Sequence, residues 1–228
     1  MRRLLHVPII HDEADMGSLG AALARRSLGV SGVMRWAAHQ RTVGLFWESV
    51  EAYLLSLDAG QLRIYQDGLA AGGEMGKRIV QEAARRGSRN YQTVLTLLNQ
   101  GAELRKTEDA QLLLEERQRV LDSLEPEPPL GGQAGSPPCA LPTDRLLEQR
   151  DQFIARAIEE TLREGELGVL FIGAHHNVQL TLPVDITVVA VKDRRHVSDY
   201  FEELLQRRDD AKLDELAGYL ASPVNVRA

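Results

Sequence analysis

Cysteine is nearly absent. The 228 residues contain one, Cys139, so a disulfide framework or a cysteine-built zinc site within the chain is excluded. This usage fits a reducing compartment, and a cytoplasmic location is expected. No window approaches the roughly 18 to 20 uninterrupted apolar residues that a membrane span requires, so no membrane partner is expected. No secretion signal is expected either: the start, Met1-Arg2-Arg3-Leu4-Leu5-His6-Val7-Pro8, is basic, but its apolar run is broken by His6 and reaches His11 without a small-residue cleavage site. There is no basic cluster either. Lysine and arginine are scattered, the formal charge is −6 and the pI is near 5.6, which leaves no extended positive surface for nucleic acid. No internal repeat is visible.

What is present is an alternation of apolar strands and amphipathic helices. Leu4 to Ile10 reads as a strand, with Pro8 restricted to an edge, a strand end or a bulge because it lacks an N–H. After the polar turn His11 to Asp15, Gly17-Ser18 can open a helix carrying Leu19, Leu23 and Leu28. A longer helix is expected from about Val33 to Leu57, with Val33, Trp36, Val43, Trp47, Val50 and Leu54 on one side. Leu62 to Gln66 alternates as a strand and ends at Asp67-Gly68, a tight-turn signal. Helices follow over Gly73 to Arg86 and Asn90 to Asn99, closed by Gly87 and Gly101. Ala102 to Lys106 suits a short edge strand, and Thr107-Glu108-Asp109 opens a capped helix reaching about Leu124.

Residues 125–142 hold six prolines and read as a loop or disordered insertion without a core of its own. Beyond it come a helix from Thr143 to Arg163, an apolar strand Val169 to Ile172, a second apolar strand Ile186 to Val191, and helices near His196 to Arg207 and Asp210 to Leu220. Strands apolar on both faces and separated by helices predict an α/β fold: a largely parallel central sheet covered by helices on both faces, in one domain interrupted at 125–142.

Three places carry chemistry. On the helix after the insertion, Leu146, Leu147, Phe153, Ile154, Ala157, Ile158 and Leu162 form one apolar arc, and Arg150 falls inside it with Asp151 toward the flank. A guanidinium is costly to bury unpaired, so Arg150 should meet either an internal carboxylate or a bound anion. The second place is Gly173-Ala174-His175-His176-Asn177, directly after an apolar strand. In an open parallel sheet the loops beyond the carboxyl ends of strands bind ligands, and adjacent histidines in a turn point in different directions. The third is His11-Asp12-Glu13-Ala14-Asp15, a histidine with three carboxylates within five residues, a set able to hold a divalent metal or to act as a base with its orienting partner. Asp67 ends another predicted strand and could join this rim. Gly72-Gly73-Glu74-Met75-Gly76-Lys77-Arg78 is rejected as a phosphate loop, because arginine follows the lysine and the first glycine is misplaced. His6, His39 and His196 read as structural or exposed. Trp36 and Trp47 suit core positions or a homodimer contact.

The run Arg150-Asp151-x-x-Ile154-Ala155-x-x-Ile158-x-x-x-Leu162-x-x-Gly165-x-x-Gly168-Val169-x-Phe171-Ile172-Gly173-Ala174-His175-His176 resembles the C-terminal half of the TraB/Tiki group, distantly related to ChaN-like and erythromycin-esterase-like proteins. The resemblance implies an arginine-bearing helix ahead of a strand ending in Gly-x-x-His, here Arg150 and Gly173-x-x-His176, and a second such motif after the first strand. There His11 is in place, but Pro8 stands where the group has glycine. It further implies an α/β fold with both motif histidines on one cleft and, in Tiki-like members, metal-dependent peptide hydrolysis; other relatives are esterase-like or handle haem iron.

The expected function is a hydrolase, metal-assisted or not, acting on a small molecule or peptide where the 11–15 and 173–177 turns meet. His11, Glu13, Arg150 and His176 are the candidate catalytic residues, and Asp67, His175 and Asn177 the candidate substrate contacts. His11 and His176 are the candidate ligands should the cofactor be a divalent metal ion. The alternative, from a different class, is a non-catalytic binding or regulatory domain for an anionic metabolite or metal complex.

Overall fold

The computed structural model of the protein describes residues 1–10, 33–124, 143–206 and 209–226. Five parallel strands form one sheet in the order β3-β2-β4-β1-β5: β1 (Arg2–Ile9), β2 (Leu62–Gln66), β3 (Glu103–Arg105), β4 (Leu167–Gly173) and β5 (Ile186–Ala190). The helices are α1 (Val33–Leu55), α2 (Gly73–Arg85), α3 (Arg89–Asn99), α4 (Ala110–Leu124), α5 (Thr143–Thr161), α6 (Arg194–Gln206) and α7 (Asp210–Ala221). The expected α/β architecture is present. Helix ends differ from expectation by a turn or less, as at Leu55 and Thr161, because the last residues of each periodic run lie beyond the backbone ladder.

Side-chain alternation along the strands builds two cores. Leu5, Val7 and Ile9 of β1, Val169 and Phe171 of β4, and Leu62 and Ile64 of β2 face one cluster with residues of α1, α2, α3, α6 and α7. Leu4, Leu170, Ile172 and Tyr65 face the other, where α5 supplies Ile154, Ala155 and Ile158 and Leu162 follows directly after it. Among the described residues, α5 is the one α-helix that enters this second cluster. Packing is close at Gly168, where a Cβ would come within 2.6 Å of Leu4 Cδ1 on β1 and 3.2 Å of Leu162 Cδ2 just beyond α5, so a larger residue would require these side chains to shift.

Pro8 sits in a central strand, yet the ladder is intact. His6 O accepts from Val191 N on the β5 side, and the two-residue period turns the missing Pro8 donor to that same side, past the His6–Ala190 pair that ends the β1–β5 register. Pro8 thus occupies a strand end with respect to β5, one of the three expected placements. Trp47 is buried and donates from Nε1 to Ile10 O at 3.2 Å, while Trp36 is half-buried against His39. Trp47 is therefore a core residue and cannot anchor a homodimer contact. Among the described residues no helix is long and apolar enough to cross a membrane.

Candidate functional site

Parallel strands deliver their carboxyl ends to one rim, and three exits there converge on α5. At the end of β2, Leu69 N donates to Gln66 O across a turn whose third residue, Gly68, has φ +78°, a value that favours glycine. The turn places the Asp67 carboxylate inward. Leu69 O then accepts from both Thr107 N and Glu108 N, and Thr107 Oγ1 accepts from Gln66 N, so the exit of β3 is tied to that of β2 and Glu108 is fully buried. The exit of β4 folds back through His176 N, which donates to Gly173 O.

Helix α5 meets these exits with charge. Arg150 and Asp151 stand four residues before Ile154 and Ala155, so helical periodicity puts both on the buried stripe where the apolar sheet ends. Arg150 Nη2 donates to Asp67 Oδ1 at 2.6 Å and Glu108 Oε1 at 2.5 Å, Nε donates to Glu108 Oε2 at 3.3 Å, and Nη1 donates to Glu116 Oε1 at 2.6 Å. Of the two roles open to Arg150, the internal ion pair is the one formed. Burial works against the guanidinium's charge, but Glu108, Asp67 and Glu116 outweigh it and hold Arg150 protonated. Three carboxylates around one cation leave negative charge in excess. Glu108, the deepest, is pushed up to about 7 by burial, against the pull of Arg150.

Asp151 turns to the other side. Its Oδ1 lies 2.5 Å from His176 Nδ1, and its Oδ2 accepts from Asn177 N at 2.7 Å. With Asp151 ionised, the proton sits on Nδ1. Nε2 of His176 faces Asp67 Oδ2 at 3.7 Å, too far for a hydrogen bond, and has no hydrogen-bond partner among the described residues. The same Asp67 oxygen accepts from Gly173 N at 3.1 Å. Burial disfavours the His176 imidazolium, yet the Asp151 hydrogen bond and the Asp67 charge prevail and raise its pKa above the ordinary 6.5.

His176, Asp67 and Arg150 are thus brought together. His175 and Asn177 are exposed, and Asn177 Oδ1 accepts from Arg194 Nη1 at 2.7 Å, which also donates to His176 O at 2.6 Å. His11 and Glu13 lie outside the described residues, as does the 125–142 segment. The adjoining β1 reaches this rim, where Ile9 pairs with Gly173. Among the described residues no group of three or more His, Cys, Asp or Glu side chains is arranged to hold a metal ion. Glu108, Glu116 and the Asp151 partner of His176 escaped sequence reasoning. Asp151 could have been found from its place beside Arg150 on the apolar flank, and Glu108 from the start of an otherwise exposed helix.

The chain was compared with family models, with curated proteins and with solved structures, and none of them matches.

Proposed function

We propose that this protein is a hydrolase with His176 as its general acid–base and Asp151 as the residue that positions it. One observation carries the reading: a buried imidazole whose Nδ1 is fixed by a carboxylate at 2.5 Å while its Nε2 makes no hydrogen bond among the described residues, at the rim of a parallel sheet. In the reaction, Nε2 takes a proton from water as the water oxygen bonds to the electrophilic centre of the substrate. It then returns that proton to the leaving group as the scissile bond breaks. Asp151 keeps the Nδ1 proton and steadies the imidazolium, as carboxylates do for catalytic histidines elsewhere. Asp67, opposite Nε2, favours the protonated form. Arg150 serves here as the counter-ion that keeps Asp67 and Glu108 in place. The resemblance to TraB/Tiki proteins supports the same class by analogy, and His11 and Glu13 carry no part of the reading.

A screen of ester, phosphoester and peptide substrates on wild type, His176→Ala and Asp151→Asn tests it. Wild type should turn over one class, and His176→Ala should lower kcat by about 10²-fold or more. The rate of wild type should rise with pH through a value above 6.5, because the base form of a histidine with raised pKa is needed. In Asp151→Asn that limb should move to lower pH as kcat falls, a change that a purely structural Asp151 would not produce. Turnover that survives His176→Ala sinks the proposal.

A second reading, a non-catalytic domain binding an anionic metabolite, is favoured by Arg194, which bonds the His176 loop through Nη1 and makes no other side-chain hydrogen bond among the described residues.

A further inference from the structure

The side of the rim away from Asp67 has a different character. A cavity of about 220 Å³ opens there, lined by His6, Gln179, Val188, Ala190, Asp193, Arg194 and Arg195. It opens on the face of the sheet where α5 is the one described α-helix of the second core. His6 shares the face with Leu4, two residues earlier on β1, and so points its ring to the side where Val188 and Ala190 of the neighbouring β5 line the cavity. With 7 % of its surface exposed, it lines this cavity, and beyond its own backbone its ring has no hydrogen-bond partner among the described residues.

Two arginines complete the wall. Arg194 spends Nη1 on His176 O and Asn177 Oδ1, and its Nε and Nη2 make no hydrogen bond among the described residues. Arg195 is exposed, and its guanidinium makes none there either. The acidic wall residue, Asp193, is committed to the helix it starts: Oδ1 accepts from Arg195 N at 2.8 Å, and Oδ2 lies 3.6 Å from His196 Nδ1. A buried imidazole that, among the described residues, bonds only its own backbone, and two guanidinium groups whose remaining donors are unused there, call for an acceptor of negative charge.

We propose that this cavity binds the oxyanion of a small molecule, with Arg194 and Arg195 as charge partners and His6 as a neutral donor from the floor. Burial and the nearby Arg194 lower the His6 pKa to about 4, so at neutral pH the ring adds no charge, and its one N–H reaches an anion in the tautomer that gives up the bond to its own backbone. The assignment of that oxyanion to the substrate of the His176 site rests on the reading above; the binding itself does not. Because Arg194 bonds the backbone of the His176 loop, an anion drawn to Arg194 would sit alongside the proposed acid–base centre.

Inorganic phosphate and acetate, each titrated at matched ionic strength into wild type, Arg195→Gln and His6→Leu, test the site by calorimetry and by histidine-ring NMR. The expected result is saturable phosphate binding with His6 ring signals among the most shifted, weakened about tenfold in each variant. Saturable acetate binding with the same dependence on both residues would support the site with a carboxylate as its group. His6→Leu places an isosteric apolar residue in an apolar strand, and Arg195→Gln alters an exposed position, so both variants should fold. No saturable binding of either ion, or binding unchanged in both variants, overturns the proposal. Phosphate binding by a wild-type chain that turns over none of the ester, phosphoester and peptide substrates would leave the anion site standing while the hydrolase reading falls.

Discussion

Two histidines are buried on the same rim, and their surroundings drive them in opposite directions. His6 on β1 meets Arg194 and no described carboxylate hydrogen-bonds it; burial first, and that cation second, lower its pKa to about 4. His176, beyond the neighbouring β4, is as deeply buried, but Asp151 and Asp67 overcome burial and raise it above 6.5. Depth therefore does not decide the charge of a buried imidazole at this rim; the sign of its nearest partners does. The rim divides into an acid-rich half over β2, β3 and β4, organised by Arg150, and a base-rich half over β1 and β5, with Arg194 joining them through the backbone of His176.

The largest expected effect comes from removing the cation of the acid-rich half. Arg150→Met keeps the length of the side chain but strands Glu108 and Asp67 without their counter-ion. Breaking a buried pair from one side costs about 3–5 kcal/mol, and denaturant unfolding at neutral pH should show a loss of that size. A loss below about 1 kcal/mol would mean that the carboxylates find water instead, and that the acid-rich half is a solvated surface rather than a buried network.

Glu108 sharpens the comparison through pH. Its folded pKa of about 7 lies above its ordinary 4.5, so its contribution to stability is fully present below about 4.5 and is lost as pH rises to about 7. His176, raised above 6.5, acts in the same sense at higher pH. His6 and His39, both lowered to about 4, oppose them: their contribution is present above 6.5 and is lost as pH falls toward 4. Replacing Glu108 with Gln removes one side of that balance. Relative to wild type, the variant should gain roughly 1–3 kcal/mol of stability between pH 4.5 and 7, read from urea unfolding at several pH values. A difference independent of pH would show that Glu108 is ionised throughout and that Arg150 dominates its burial.

How much of this was legible in the sequence follows from range. The strands announce themselves as apolar runs, and Arg150 as a charge within an apolar arc, because both are local periodicities. Its partners do not: Glu108 lies 42 residues away in the chain and Asp67 83 residues away, and each sits in a segment with a sufficient local reading. Thr107-Glu108-Asp109 looks like a helix cap, and Asp109 does cap α4 by accepting from Gln111 N and Leu112 N, which hides the inward role of Glu108. Asp67-Gly68 looks like a turn and is one, while its carboxylate also faces Arg150 and His176. Arg194 and Arg195 stand just ahead of the helix expected near His196, where no local pattern marks them. His6 reads as a structural strand residue until the topology sets β5 beside β1 and opens the cavity against it.

The smallest effect tests whether the two causes acting on His6 are ranked correctly. Arg194→Gln removes the cation beside His6 and its hydrogen bonds to His176 O and Asn177 Oδ1, but leaves the strand and the depth of the ring unchanged. Burial is the larger cause of the low His6 pKa and the Arg194 charge the smaller. The His6 titration, followed by ring NMR, should therefore move upward from about 4 yet stop short of 6.5. A full return to 6.5 would make Arg194 the dominant influence, and no movement would separate the two halves of the rim electrostatically. His176 is the internal control: Asp151 and Asp67 are what raise it, and the cation that opposes them is Arg150 rather than Arg194, so its titration should stay above 6.5. Should His176 drop below 6.5 in the same variant, the Arg194 anchor would be what holds its ring against Asp151, and the acid–base centre would depend on the base-rich half for its geometry.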